Sequence, residues 1–161
     1  MSTRVLHTIP PVCDVCARTL ILGSFPSVQS RAGAFFYHHP RNRFWQVLAA
    51  VYRCDAPVSI DEKRSFLLAR HIALWDVAAS CEIRSSADSS IQNVTPNDLS
   101  RIFDAADIRR IFTNGNTAYN LYMRYCYPQF GRDAVKLPST SPANANFSLE
   151  KLVDCWKIIK E

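Results

Sequence analysis

The sequence predicts an α/β fold: a three-layer α/β/α arrangement around a central parallel sheet of about four strands. Three observations lead there. Short continuous apolar runs, the kind buried on both faces of a parallel sheet, recur along the chain. Segments of helical periodicity separate them, and right-handed crossovers through such helices make the strands parallel. The 161 residues are 48% hydrophobic and 20% charged, with nine Pro and four Gly, which fits one ordinary globular domain over 1–161. A chain of this length buries roughly 70% of its unfolded surface, enough for a core without disulfides or a structural metal.

The first strand is Leu20-Ile21-Leu22, ended by Gly23. Phe44, Val47, Leu48 and Val51 then recur at the i, i+3, i+4, i+7 spacing of one helix face. Ser59-x-x-Glu62 is a capping box that opens a helix over Ile60–Arg70. Ile72 to Val77 forms the second strand. Thr95 followed by Pro96 reads as a cap before a first-turn proline and predicts a helix from Pro96 to Ala105. Ile108 to Thr113 is the third strand, Asn116 to Tyr127 a helix stopped by Pro128, and Ala134 to Leu137 a weaker fourth strand. Leu149, Leu152, Val153 and Trp156 mark a last helix that Ser148 can cap.

Nineteen Lys and Arg against fourteen Asp and Glu give a net charge of +5, which suits a polyanionic partner without demanding one. No apolar run approaches the ~20 residues of a membrane helix, and the Met1-Ser2-Thr3-Arg4 start lacks a signal-peptide pattern, so a soluble cytoplasmic protein is expected. Of the six cysteines, only Cys13 and Cys16 have metal-ligand spacing. A closed site needs a second pair, and none exists, so neither metal nor cofactor is expected.

In a parallel sheet, ligands bind beyond the carboxyl ends of the strands. The four loops there begin Gly23-Ser24-Phe25-Pro26, Asp76, Asn114-Gly115-Asn116 and Pro138-Ser139-Thr140-Ser141-Pro142-Ala143-Asn144. Small and hydroxyl-bearing residues allow close backbone approach to a phosphate-bearing ligand, although the same residues make ordinary turns. The first loop continues into Ala34-Phe35-Phe36-Tyr37-His38-His39-Pro40-Arg41-Asn42-Arg43-Phe44-Trp45. Aromatic rings beside Arg and His suit base stacking next to phosphates. Alternatively the aromatics fold into the core, as Phe44 and Trp45 on their helix are expected to do.

Five segments together resemble the uracil-DNA glycosylase superfamily, and within it the hypoxanthine-DNA glycosylase (DNA-deoxyinosine glycosylase, family 6) branch. They are Leu20–Pro26, Tyr37–Trp45, Leu74–Val77, Ile111–Gly115 and Leu137–Asn144, in the family's order. The resemblance implies a monofunctional glycosylase that flips a deaminated base, most of all hypoxanthine, out of double-stranded DNA and hydrolyses its N-glycosidic bond. It implies a monomer at work in base excision repair. Gly23, Ser24, Phe25 and Pro26 would lie against the sugar and base, Tyr37 would stack on the base, and Asn114 would join the base-binding set. Ser139, Thr140, Ser141, Pro142, Ala143 and Asn144 would grip phosphates and fill the gap in the duplex, flanked by His39, Arg41 and Arg43. Phe25 stands where several branches carry a water-positioning Asn or Asp, and Leu137 where the uracil enzymes carry a His. The catalytic role maps to Asn42.

An amide has no useful pKa, so Asn42 is expected to orient a water beneath C1′ through its carbonyl. Capping the following helix is a second use for it. Asp76 either caps a turn or reads the base edge, since a carboxylate accepts from the N1–H that deamination creates and faces a lone pair in adenine. No Lys stands in the five segments, so no Schiff-base lyase step is expected. Some thermophilic relatives hold an iron-sulfur cluster, and Cys13, Cys16 and Cys81 resemble three of its ligands, but no Cys lies between 82 and 125 to supply the fourth. A uracil-preferring or broad glycosylase, a non-catalytic damage-binding module and a small-nucleotide-binding domain remain open, the last without a GxGxxG or GxxxxGK[ST] loop.

Overall fold

The apolar runs form one sheet. The computed structural model describes residues 3–84 and 90–161, so Met1 and Ser2 of the N-terminal start lie outside the described residues. Strands β2 (Thr19–Gly23), β3 (Ile72–Asp76), β6 (Arg110–Asn114) and β7 (Val135–Leu137) pair in the order β3-β2-β6-β7. All three pairings are parallel, with Gly23 opposite Asp76 and Asn114 opposite Leu137. β2 and β3 are buried along their whole length, which is why both read as unbroken apolar runs rather than alternating ones.

Helices α2 (Phe44–Val51), α3 (Ile60–Ala69), α5 (Asn116–Tyr125) and α7 (Leu149–Trp156) follow the predicted segments closely. Ser59 Oγ accepts from Glu62 N–H at 3.1 Å and Ser148 Oγ from Lys151 N–H at 3.2 Å, so both predicted caps form. α3 packs on β3, α5 on β6 and β7, and α2 against α7. A short α1 (Val28–Gly33), capped by Ser27, was not signalled by spacing. Pro128 opens a four-residue helix, α6 (Tyr127–Phe130), once α5 has ended.

A second, antiparallel sheet is the main addition. β1 (Thr3–Leu6), β4 (Ala78–Ile83) and β5 (Gln92–Pro96) pair in the order β1-β4-β5. The predicted helix from Pro96 to Ala105 gives way to it. Thr95 and Pro96 close β5 opposite Ser80 and Ala78, and the helix shrinks to α4 (Ser100–Phe103). Proline is tolerated there because an edge strand leaves one row of N–H groups unpaired. Asp98 takes over the capping, accepting from Ser100 N–H at 3.1 Å and Ser100 Oγ at 2.7 Å. Among the described residues no helix is long and apolar enough to cross a membrane.

Candidate active site

The carboxyl ends of the parallel strands open into a cleft of about 1110 Å³, and residues from all five motif segments line it. β2 delivers Gly23 to Pro26. Their backbone is tied to the β3–β4 corner by Val77 N–H to Gly23 O at 2.8 Å and Ala78 N–H to Ser24 O at 3.0 Å. Ser24, Phe25 and Pro26 are buried, so this loop forms a packed wall of the cleft. Gly23 is required by close approach: a Cβ there would lie 2.3 Å from Asp76 Oδ1 and 2.8 Å from the Tyr37 hydroxyl.

Asp76, at the end of β3, is 3% exposed. Its Oδ2 accepts from His7 Nε2 at 2.8 Å, and the His7 ring is set between Phe25, Phe36 and Trp75 with centroid distances of 5.9, 6.2 and 6.4 Å. A carboxylate only accepts, so the pairing puts the proton on Nε2 of His7. β1 positions this histidine through His7 N–H to Ala79 O at 2.7 Å. Nothing in local spacing marks His7, because its partner stands 69 positions away.

The aromatic segment divides in two. Phe35 and Phe36 are buried in the core with Phe44 and Trp45, while Tyr37 is half-buried and lines the cleft. Left-handed backbone at Ala34 (φ 57°) and Tyr37 (φ 52°) makes the division, turning the two phenylalanines inward. Tyr37 stacks on Phe44 at 4.0 Å and 17°, and Phe44 meets Trp156 edge-on at 5.8 Å. His38 is packed against Gly33, where a Cβ would lie 2.4 Å from the imidazole. His39 Nδ1 accepts from Arg41 N–H at 3.0 Å, making a turn that leaves Arg41 exposed.

Asn42 lines the cleft, and its Oδ1 accepts twice, from Phe44 N–H at 3.0 Å and from the Thr140 hydroxyl at 2.8 Å. The capping use therefore exists, and the carbonyl expected to hold a water has both lone pairs engaged. Thr140, expected among the phosphate-gripping residues, is fully buried between Asn42 and Asn114. Arg43 is also turned inward: its guanidinium donates to the carbonyls of Phe147, Ser141 and Asn144. It braces the loop that it was expected to accompany on DNA. Ser139, Ser141 and Asn144 are half-buried, whereas Pro142 and Ala143 are exposed at the loop's tip. Trp156 Nε1–H holds the loop's start through Pro138 O at 2.9 Å.

Arg31, Arg84 and Lys136 add positive charge to the cleft, and Asn116 and Thr117 bring the first turn of α5 to it. Cys13, Cys16 and Cys81 do not gather: no group of three His, Cys, Asp or Glu able to hold a metal occurs among the described residues.

Comparisons with known proteins identify the family and the fold. The sequence model of the Uracil DNA glycosylase superfamily matches residues 10–160. A hypoxanthine DNA glycosylase of Methanosarcina acetivorans is 33% identical over 143 residues, covering 86% of this chain and 88% of the relative. One from Methanosarcina barkeri is 31% identical over 151 residues, covering 91% and 92%. A solution NMR structure of a candidate uracil DNA glycosylase from M. acetivorans superposes with a TM-score of 0.80 at 27% identity, covering 99% of this chain and all of that one. The chain belongs to the uracil DNA glycosylase superfamily.

Proposed function

We propose that this protein is a monofunctional DNA glycosylase of base excision repair that removes hypoxanthine from double-stranded DNA and leaves an abasic site. The observation that carries the reading is the cleft itself. It places a buried carboxylate, a half-buried tyrosine and an amide from three separate motifs around one space, and the two Methanosarcina relatives are hypoxanthine DNA glycosylases.

Flipping the nucleotide costs a few kcal/mol, least at a damaged pair. Stacking on Tyr37, whose other face is backed by Phe44, returns about 1–3 kcal/mol of it. Asp76 accepts the N1–H of hypoxanthine through Oδ1, while His7 holds Oδ2 and thereby the plane of the carboxylate. Adenine brings a lone pair to the same place and is disfavoured. Asn42 is the catalytic residue. Arg41, His39 and the tip at Pro142 and Ala143 meet the phosphates and the gap in the duplex, with Arg31 and Lys136 adding charge inside the cleft. The protein works as a monomer in the cytoplasm.

The test is incubation with duplexes carrying a single inosine, uracil or xanthine, followed by alkali cleavage of abasic sites. Cleavage at inosine above uracil is expected. Binding without cleavage of any substrate refutes the enzyme reading, and uracil above inosine replaces the substrate.

A further inference from the structure

The sense of the Asn42 amide is fixed by two backbone N–H groups. Thr140 N–H, which can only donate, bonds Asn114 Oδ1 at 3.0 Å. The other end of that amide, Nδ2, therefore donates to Thr140 Oγ at 3.0 Å. With Asn114 donating into it, the Thr140 hydroxyl has its own proton left to give, and it gives it to Asn42 Oδ1 at 2.8 Å. Phe44 N–H makes the same demand on Asn42 from the start of α2, at 3.0 Å. Reversing the amide would set its NH2 against the Phe44 N–H and would break the Thr140 donation. Thr140 is fully buried, so no water competes for its hydroxyl. Asn42 Nδ2 makes no hydrogen bond among the described residues, and Asn42 lines the cleft.

We propose that Asn42 serves as a hydrogen-bond donor to the departing base, with Thr140 and Asn114 as positioning residues that hold its amide in that sense. The inference rests on the glycosylase reading above and changes what Asn42 does within it. During hydrolysis the C1′–N9 bond breaks with its electron pair passing to the purine, and the oxygen of water bonds to C1′. The proton that water loses ends on the released base by way of solvent. Negative charge grows on the purine ring nitrogens as the bond stretches. A fixed amide N–H aimed into the cleft favours that charge more in the transition state than in the bound substrate, without reorganising at the moment of reaction. A carbonyl oxygen already accepting two hydrogen bonds has little to offer a water.

Single-turnover release of hypoxanthine from an inosine duplex separates the two roles. Asn42→Asp keeps both framework contacts through one carboxylate oxygen and exchanges only the N–H for an acceptor. A donor role loses on the order of 10²–10³-fold in kcat, as Asn42→Ala does, with KM little changed. Thr140→Val lowers kcat, and Thr140→Ser, which keeps the hydroxyl, restores it. Nuclear Overhauser spectra of the free wild-type protein give a readout apart from turnover: the Asn42 NH2 protons show no strong cross-peak to the Phe44 amide proton. An Asn42→Asp enzyme about as active as wild type, an unaffected Thr140→Val, or a strong cross-peak overturns the inference while leaving the glycosylase reading intact. Wild-type protein that releases no deaminated base sinks that reading instead, and the donor role with it.

Discussion

Replacing His7 with Phe isolates one hydrogen bond in the floor of the cleft. The substitution keeps an aromatic ring among Phe25, Phe36 and Trp75 and removes the Nε2–H that lies 2.8 Å from Asp76 Oδ2. The two side chains are 2% and 4% exposed while paired, and the substitution leaves Asp76 Oδ2 without its donor. A hydrogen bond to a charged group is worth about 1.5–3 kcal/mol, and breaking a fully buried pair costs about 3–5 kcal/mol. Asp76 lines the open cleft, where water reaches it once the partner is gone, so the lower range applies and about 2 kcal/mol is expected. At roughly 2–4 °C per kcal/mol for a chain of this size, Tm falls by about 4–8 °C. Thermal melts of wild type, His7→Phe, Asp76→Asn and the double variant form a cycle, with an expected coupling of about 1–2 kcal/mol. A coupling below about 0.5 kcal/mol would mean that the two side chains are neighbours and not partners.

Gly23→Ala is expected to abolish base release while far-ultraviolet circular dichroism stays native, because the added methyl displaces the Asp76 carboxylate and the Tyr37 hydroxyl; normal turnover would contradict the close approach. Replacing exposed Arg41 with Gln should weaken binding of damaged and undamaged duplex alike and make the slope of log K against log salt shallower by about 0.9, measured by fluorescence anisotropy. Burial pushes the Cys126 thiol from 9.0 up to about 11, so the folded state holds its proton where the unfolded state releases it. Stability is then fully present below pH 9 and is lost as pH rises towards 11; denaturant melts across that window should show a smaller loss in Cys126→Ala.

The parallel sheet was legible because burial on both faces leaves an uninterrupted apolar run, as in Leu20–Leu22 and Ile72–Leu74. The antiparallel sheet was not, because its strands are half-exposed and mixed in composition: Arg4 in β1 reaches across to Ser80, Thr95 and Asn93, and β4 follows β3 after the single residue Val77. Thr95-Pro96 carries the same residues whether it starts a helix or ends an edge strand, and only the pairing with β4 decides. The motifs located the cleft, yet they did not tell which of their side chains face it. Arg43 and Thr140 are engaged by partners remote in the chain, Arg43 by Phe147 and Thr140 by Asn42 and Asn114, and pairings of that reach leave no trace in spacing.

The C-terminal helix has a consequence for any shortened form of this enzyme. Trp156 carries the Pro138 carbonyl on its indole N–H, and its ring supports Phe44, which supports Tyr37. One side chain thus steadies both the start of the Pro138–Asn144 loop and the Phe44–Tyr37 stack, and Pro138 and Tyr37 both line the cleft. A chain cut before Leu149 would keep every motif and lose the strut between them, so such a fragment should retain the recognition signature of a glycosylase in a sequence search and show none of its turnover.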